Sequence, residues 1–331
     1  MLVLNLSQNR SNINYYISST LLEKIKENLE ENKKSILYLN KRWNFSSLIC
    51  EDCSYYYKCK NCDVSLTVHN NPEKVACHIC WASWNIPKNC VKCNKTNLKK
   101  IWVWTKQIEE SLNSYFNKTN INIFRFDLDS MKNKSEKQMA VEKLEKADIV
   151  IATKMITTGF DFKNIGLIAV ILAEQEFSFP SYNAEEKAYI NIKQLIGRWN
   201  RMWEKTEIII QTFIPENEII RSLSEKNYKN FFLDTLNERK LFNYPPFNQM
   251  ATLEYRDKSE KKSLDFMMNL KNKLDLINTE EKIEIILNKK SFKKFNKYHI
   301  KIILKWDNLR DFLENIKTEI FRNWNLSVTF E

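Results

Sequence analysis

The sequence predicts an α/β protein with a parallel sheet flanked by helices, followed by a small C-terminal α+β domain. Three observations lead to this prediction. Strand-like and helical segments alternate from residue 35 to residue 211. All eight cysteines fall within residues 50–93, after the first strand of that alternation, which predicts a cysteine-rich insertion. The run Tyr244-Pro245-Pro246-Phe247 then breaks a helical, charged pattern over residues 216–240.

The individual elements follow from periodicity and capping residues. Ser18-Ser19-Thr20 are N-cap candidates for a first helix with an apolar stripe of Leu21, Leu22, Ile25 and Leu29. In the insertion, Val64, Leu66 and Val68 alternate with polar residues and predict a hairpin strand that turns at 70–72. Further strands are predicted at 35–40, 100–104, 121–126, 148–153, 166–172 and 207–211, and helices at 108–116, 135–146 and 185–196.

The last segment has a different pattern and predicts a separate domain. Strands are expected at 251–255, 283–287, 300–304 and 326–330, and helices at 264–277 and 309–321. At 331 residues the chain allows two or three domains. We expect residues 1–34 as an initial segment with the first helix, 35–240 as the α/β domain with the insertion at 46–98, and 241–331 as the α+β domain.

The cysteines form four C-x2-C pairs, and this spacing is typical of zinc sites. Each pair places two sulfurs on one side of a tight turn, and two such turns complete the tetrahedral shell that Zn²⁺ prefers. Eight thiols therefore predict two four-cysteine zinc sites, but spacing alone allows three ways of pairing the turns. A disulfide framework is disfavoured because the other residues contain no cysteine and no secretory signal is present. Iron–sulfur spacings usually crowd three ligands into one run.

Charge and hydropathy limit the possible partners and location. The formal net charge of +11 stays positive after eight thiolates and two Zn²⁺ are counted, which favours a polyanion such as DNA. Abundant Lys, Asn and Ile also fit an AT-rich genome, so the charge alone does not decide. No apolar run approaches the ~18 residues of a membrane span. We expect a cytoplasmic protein without a membrane partner.

The glycine and tryptophan contents are abnormal. Only three glycines occur, where average usage of about 7% predicts roughly 23, and there are nine tryptophans. Five tryptophans precede Asn or Asp, in the places where Gly-Asn or Gly-Asp turns are common, and Trp81 directly follows a C-x2-C pair. Some bacteria read the codon UGA as glycine. We hypothesise that all nine tryptophans are UGA-encoded glycines; the alternative is a decaying gene with genuine tryptophans.

Two stretches in the α/β part carry helicase-like motifs. Residues 153–162 (T-K-M-I-T-T-G-F-D-F) follow a buried strand, and residues 194–201 (Q-L-I-G-R-W-N-R) end a helix. In this order they resemble motifs V and VI of the second RecA-like lobe of superfamily-2 helicases. Fixed arginines suit phosphoryl transfer because they stabilise charge on the γ-phosphate.

The resemblance sharpens to the C-terminal half of the primosomal protein N′ (PriA) family of replication restart helicases. The cysteine spacing follows that family, and residues 40–43, 102–105, 127–130 and 244–246 stand where it has N-R-R-G, G-x-G-T, D-x-D-T and Y-P-P. The resemblance implies a RecA-like lobe 2 with two nested structural zinc sites. One would contain Cys50, Cys53, Cys90 and Cys93, and the other Cys59, Cys62, Cys77 and Cys80. His78 is not expected to be a ligand.

The resemblance also implies roles for the motif residues. Arg198 and Arg201 would be the catalytic arginines and Gln194 would position them or the nucleotide. Gly159, Asp161 and Gly197 would contact the nucleotide, whereas Thr153 and Lys154 would contact DNA. Forked or single-stranded DNA, single-strand-binding protein and primosome proteins are the implied partners. Tyr55-Tyr56-Tyr57 could stack on bases, contact a partner or pack against the cysteine turns.

The chain departs from the family pattern in two respects. It contains no G-x4-G-K-[ST] loop and no D-E-x-H-type motif, so we expect it not to hydrolyse ATP by itself. A separate polypeptide carrying lobe 1 would complete the ATP and Mg²⁺ site. Tryptophans also stand where the family has glycine or alanine, at Trp43, Trp102, Trp104, Trp199 and Trp203. The alternative to a helicase part is a non-catalytic zinc-ribbon DNA-binding or adaptor fragment.

Overall fold

The structure is a computed structural model that describes the chain in two compact units. It describes all residues except 41–45, 71–72, 127–133, 154–163, 180, 200–205, 226, 281, 289–290, 295 and 318–322. The first unit contains Met1–Tyr57, Ser65–Val75 and Trp84–Phe231, and the second contains Lys58–Val64, Ala76–Ser83 and Phe232–Glu331. The domain boundaries expected from the sequence stay a prediction.

The elements are numbered in chain order. The strands are β1 (Leu2–Asn5), β2 (Lys34–Tyr38), β3 (Ser46–Cys50), β4 (Thr67–Asn70), β5 (Glu73–Ala76), β6 (Ser83–Asn85), β7 (Leu98–Ile101), β8 (Ile123–Phe126), β9 (Ile149–Ala152), β10 (Ile165–Val170), β11 (Glu207–Thr212), β12 (Gln249–Asp257), β13 (Glu284–Leu287), β14 (Phe292–Lys294), β15 (Lys297–Trp306) and β16 (Leu326–Phe330). The helices are α1 (Ser19–Glu30), α2 (Thr105–Tyr115), α3 (Lys134–Lys146), α4 (Glu174–Phe177), α5 (Ala184–Trp199), α6 (Glu218–Glu225), α7 (Tyr228–Leu241), α8 (Glu260–Ile277) and α9 (Leu309–Glu314).

The first unit is built on a parallel sheet with the strand order β1-β11-β10-β2-β9-β8. Every neighbouring pair in this order runs parallel. The central strands β9 and β10 are buried at every residue, as expected when helices cover both faces of a parallel sheet. The predicted α/β class with a parallel sheet flanked by helices is therefore confirmed. Helix α1 begins where expected, because the Ser18 hydroxyl accepts a hydrogen bond from the Leu21 N–H.

A second sheet, with the order β6-β5-β4-β3-β7, forms the cysteine-rich insertion. Strands β4 and β5 are neighbours in this sheet, and residues 71–72 of the turn predicted between them lie outside the described residues. The strand predicted at 100–104 differs, because β7 pairs antiparallel with β3 instead of joining the parallel sheet. The chain leaves β7 at Ile101 because Val103 enters the core and α2 begins at Thr105.

The C-terminal sheet is antiparallel and has its own core. Its order is β13-β15-β12-β16, and β14 pairs with β15. Helix α8 packs on this sheet through Met267, Leu270 and Leu274. The predicted helix at 309–321 is described only as α9, and residues 318–322 lie outside the described chain. Among the described helices, none is long and apolar enough to span a bilayer.

Helix α4 brings two buried carboxylates to the end of β10. The Glu176 carboxylate accepts hydrogen bonds from the Tyr38 hydroxyl at 2.6 Å and the Asn191 amide at 3.0 Å. The Glu174 carboxylate accepts hydrogen bonds from the Thr212 hydroxyl and the Phe213 N–H through one oxygen only. Burial raises the pKa of Glu174 to about 7.

This raised pKa predicts a pH-dependent stability. The contribution of Glu174 is fully present below about pH 4.5 and is lost as the pH rises through about 7, because the unfolded chain then ionises the group more readily. Glu174→Gln cannot ionise at this position. The difference in free energy of unfolding between this variant and the parent should therefore shift by about 3 kcal/mol in favour of the variant between low pH and a pH above 7. Urea unfolding across this pH range measures the free energy of unfolding of both proteins. Glu216→Gln, at an exposed position, is the control. A pH-independent difference between Glu174→Gln and the parent contradicts the prediction.

One tryptophan occupies a backbone conformation that favours glycine. The residue after each of the four C-x2-C pairs is left-handed: Ser54 at φ 57°, Asp63 at 49°, Trp81 at 62° and Asn94 at 58°. Three of these are small polar residues, but the fourth is a tryptophan, for which this conformation is strained. Trp324 is also 94% exposed. Both features are those expected if glycine is the encoded residue, and reading the codons decides between UGA and UGG.

Glycine at position 81 should therefore improve the fold. Trp81→Gly is expected to raise the free energy of unfolding by about 1 kcal/mol, because left-handed backbone costs a residue with a Cβ about that amount. Trp84→Gly is a matched control: this residue lies in strand β6, where glycine is expected to lower stability by roughly 0.5–1 kcal/mol. Chemical denaturation of the metal-loaded variants measures both. Equal destabilisation by the two substitutions would argue against strain at Trp81.

Candidate metal centres

The fold gathers the eight cysteines into two sets of four. The first set contains Cys50, Cys53, Cys90 and Cys93, and the second contains Cys59, Cys62, Cys77 and Cys80. These are the nested sets that the family resemblance implies. Within each set all sulfurs lie within 4.8 Å of one another. The first set (site 1) lies in the first unit, and the second set (site 2) lies in the second unit.

The sulfur spacing fits a bound metal ion. The Sγ atoms are 3.6 Å apart for Cys50 and Cys93, 3.7 Å for Cys53 and Cys90, and 3.6 Å for Cys59 and Cys80. Sulfurs at tetrahedral corners with metal–sulfur bonds of about 2.3 Å are separated by about 3.8 Å. A disulfide would bring them to about 2.05 Å. Both sets therefore have dimensions that could hold one ion each.

The same local turn builds all four cysteine pairs. The N–H of the first cysteine in each turn donates to the carbonyl five residues later, from Cys50 to Tyr55, Cys59 to Val64, Cys77 to Ala82 and Cys90 to Lys95. The left-handed residue after the second cysteine reverses the chain and allows this closure. Backbone N–H groups also point at sulfur, from Ile79 to Cys77 at 3.3 Å and from Lys92 to Cys90 at 3.4 Å.

The electrostatics of the thiols favour a cation. Burial raises the pKa of Cys50, and it raises the pKa of Cys53 to about 12. At Cys90 of the same site, burial is outweighed by hydrogen bonds from the Cys93 and Lys92 backbone, which lower the pKa of this thiol to about 7. A dication compensates the thiolate charge, so metal binding would release protons and would weaken as the pH falls. Five of the eight cysteines are buried, and the half-buried ones are Cys53, Cys80 and Cys93.

Two tyrosine hydroxyls contact the cysteine turns, one at each site. The Tyr57 hydroxyl accepts a hydrogen bond from the Val91 N–H at 3.3 Å at site 1. The Tyr244 hydroxyl donates to the Cys62 carbonyl at 3.0 Å at site 2. Sequence reasoning assigned neither contact. Tyr57 belongs to the triple-tyrosine run and Tyr244 to the Y-P-P motif, so both stood in noticed patterns, but no sequence signal indicated their partners.

Tyr56 packs inside the first unit. Its ring lies 5.6 Å from the Phe177 ring, edge to face, and its hydroxyl contacts the Ser178 hydroxyl at 3.1 Å. The Ser65 hydroxyl donates to the Phe177 carbonyl at 3.1 Å. The insertion is thereby joined to helix α4. Tyr56 thus packs against helix α4, and of the three tyrosines it is Tyr57 whose hydroxyl contacts a cysteine turn.

The helicase-motif residues lie only partly in the described chain. Thr153 follows β9 at the carboxyl edge of the parallel sheet and is buried. Gln194 and Gly197 lie on α5 and are exposed, and a Cβ added to Gly197 would meet nothing within 4 Å. Arg198 lies on α5, but its side chain is outside the description. Lys154, Gly159, Asp161 and Arg201 lie outside the described residues, as do Trp43 and Trp203. The roles expected for all of these residues stay predictions.

The two sites share no ligand, which predicts independent metal loss. The double variant Cys50→Ser/Cys53→Ser should retain one thiophilic dication per chain instead of two, because site 2 keeps all four sulfurs. Elemental analysis after loading with Zn²⁺ or Cd²⁺ and gel filtration measures the stoichiometry. Ser54→Ala, next to the same turn, is the control and should retain two ions. Loss of both ions, or of neither, from the double variant contradicts this arrangement.

The chain is similar to known proteins in two segments and over most of its length. Residues 59–83 match the model of the PriA DNA helicase Cys-rich region domain, and residues 85–202 match the helicase conserved C-terminal domain. It is 30% identical over 236 residues to the replication restart protein PriA of Bacillus subtilis, covering 71% of this chain and 29% of that protein.

Other relatives agree. The PriA proteins of Borreliella burgdorferi and Thermotoga maritima are 30% and 28% identical over 74% and 80% of this chain, and over 37% and 36% of their own lengths. The chain thus spans about a third of the length of the curated relatives it matches. A solved structure, the de novo designed protein Foldit4, matches 25% of this chain and 93% of its own at a TM-score of 0.21 and 14% identity, and carries no argument.

Proposed function

Because the chain belongs to the PriA family and matches its C-terminal half, we propose that it is the second-lobe part of an ATP-dependent 3′–5′ DNA helicase for replication restart and primosome assembly. The observation that carries the proposal is the insertion of two four-cysteine sites into a parallel-sheet domain of the helicase class. Forked or single-stranded DNA, single-strand-binding protein and primosome proteins are its partners, in the bacterial cytoplasm.

The two ions are structural zinc. Four thiolates in a tetrahedral set are the ligands that Zn²⁺ favours. Each site is closed, because all four positions are filled by sulfur and no position remains for water or substrate. Zinc would therefore hold the insertion together without taking part in the reaction. The chemistry of the helicase would involve Thr153, at the carboxyl edge of the parallel sheet, and the arginine motif at the end of α5, both of which belong to the matched helicase domain.

ATP hydrolysis needs a lobe 1 with a phosphate-binding loop, which is not among these 331 residues. Arg198 and Arg201 stabilise the charge that develops on the γ-phosphate, and Gln194 positions the arginines or the nucleotide. Gly159, Asp161 and Gly197 contact the nucleotide, whereas Thr153 and Lys154 contact DNA phosphates. The phosphate-binding loop and the Mg²⁺ ligands would come from lobe 1. This division of residues explains how the chain takes part in hydrolysis without a phosphate-binding loop of its own.

Complementation tests this proposal. Mixing the zinc-loaded chain with a lobe-1 polypeptide should restore DNA-stimulated ATPase activity, which neither polypeptide has alone. Arg198→Ala or Arg201→Ala should lower the restored rate at least about a hundredfold, because a missing transition-state arginine costs that much or more. Phosphate release with and without forked DNA is the measurement.

The control and the contrary outcomes are defined by the same assay. Arg221→Ala removes an arginine of α6 that is 58% exposed and should leave the restored rate unchanged. Zinc content should stay at two ions in all three variants. ATPase activity of these 331 residues by themselves would contradict the need for lobe 1. DNA binding without any restored ATPase would support the non-catalytic adaptor instead.

A further inference from the structure

The Tyr244 hydroxyl contacts a metal site from within the second unit. It donates to the carbonyl of Cys62, a residue of site 2, at 3.0 Å. Cys59, Cys62, Cys77 and Cys80 come from two segments of the insertion, yet both segments belong to the same compact unit as the C-terminal sheet. Tyr244 therefore connects a cysteine turn to the part of the chain that leads into β12.

Tyr244 is held rigidly in this position. It is 3% exposed, and its N–H donates to the Arg239 carbonyl at 2.8 Å, which ties it to the end of α7. Its carbonyl accepts a hydrogen bond from the Phe247 N–H at 3.0 Å. A side chain whose backbone is fixed on both sides loses little further freedom when it binds a partner, so its hydroxyl can define the position of the Cys62 peptide.

The face of the Tyr244 ring is linked to the C-terminal sheet. The Lys305 ammonium, on β15, lies 4.4 Å from the ring centroid, which is within the range of a cation–π contact. Lys305 is 4% exposed and pairs with the Glu284 carboxylate of β13 at 3.3 Å. A continuous chain of contacts therefore runs from two strands of the sheet, through the ring and hydroxyl of Tyr244, to a residue of site 2.

We propose that a metal ion at site 2 stabilises the packing of the second unit, and that Tyr244 is the positioning residue of this site. The proposal rests on the proposed function, in which both sites hold zinc. Groups that hydrogen-bond to ligand residues orient the ligating atoms, and their loss commonly weakens metal binding about 10–100-fold. Because binding linkage is reciprocal, the ion at site 2 also stabilises the packing of Tyr244 and of the sheet behind it. Site 1 also has a hydroxyl contact, of the opposite direction: the hydroxyl of Tyr57, in the first unit, accepts from the N–H of Val91, which follows the ligand Cys90.

Tyr57 supplies a matched control for testing Tyr244. In the full chain loaded with Zn²⁺, Tyr244→Phe should speed metal release from site 2 about tenfold and leave site 1 within about twofold of the parent. Tyr57→Phe should do the reverse. Release is followed with a thiol-blocking reagent and a chromogenic chelator. Cadmium NMR of the Cd²⁺-loaded chain assigns each change to a site, since Tyr244→Phe should shift the site 2 resonance only. Equal effects of Tyr244→Phe on both sites, or none, overturn the proposal.

The reverse direction of the coupling is tested without changing Tyr244. Cys80→Ser and Cys93→Ser each remove one half-buried ligand, from site 2 and site 1 respectively. Cys80→Ser should speed amide hydrogen exchange in β12 and β15 at least about tenfold, whereas Cys93→Ser should leave it unchanged. This measurement decides the outcome if Tyr244→Phe does not fold. If the amides of β12 and β15 are equally protected from exchange in both variants, the proposed coupling between site 2 and the sheet is wrong. If the parent chain binds no metal, the zinc assignment of the proposed function is wrong. This outcome is distinguishable from a failure of the coupling alone, in which the parent chain still binds metal.

Discussion

The insertion is organised around two sets of four cysteine sulfurs, and within each set the sulfurs lie within 4.8 Å of one another. Its strands β3 to β7 contain three to five residues each; β3 buries Leu48, Ile49 and Cys50, whereas β6 is exposed at every position. Strands this short offer a small area for hydrophobic packing. If each cysteine set holds an ion, as proposed above, metal–thiolate bonds would add to the free energy of folding, because the site forms only when the turns are in place.

The four cysteine turns impose a backbone constraint that the sequence meets unequally. Each turn closes with a hydrogen bond from the first cysteine and a left-handed residue after the second. Ser54, Asp63 and Asn94 carry short polar side chains, and Asn and Asp tolerate this conformation because their side chains can bond locally. Trp81 has no such compensation. Glycine at position 81 would remove this backbone strain. The left-handed conformation of residue 81 therefore supports the hypothesis that its codon is UGA and encodes glycine.

Sequence reasoning reached the fold class because parallel strands have a simple signature. The runs at 148–153 and 166–172 consist mostly of consecutive apolar residues. Such runs are typical of parallel strands, because helices cover both faces of the sheet. The cysteine sets were also accessible, but spacing left three pairings and only the family resemblance selected one. Strand β7 was assigned to the wrong sheet because a short apolar run does not reveal its neighbour. The roles of Arg198 and Arg201 stay predictions of the sequence.

The contacts of Tyr244, Glu174 and Glu176 lay beyond any sequence pattern because their partners are distant along the chain. Tyr244 contacts Cys62 across 182 positions, and Tyr38 contacts Glu176 across 138. Such pairs are fixed only when the topology has been formed, and neither residue type nor periodicity encodes them.

The nested order of the cysteines has a mechanical consequence. The outer turns form site 1 in the first unit, and the inner turns form site 2 in the second. The four turns of one insertion are therefore divided between the two units, and each unit contains one complete set of four cysteines. In the first unit, Tyr56, Phe177 and Ser178 attach the insertion to α4, and Glu176 of the same helix accepts from Asn191 on α5, the helix that ends in the arginine motif. In the second, Tyr244 attaches a cysteine turn to β15 through Lys305. An insertion joined in this way constrains each unit through short, buried polar contacts, so a change at a metal site would be transmitted first to the elements that these contacts reach.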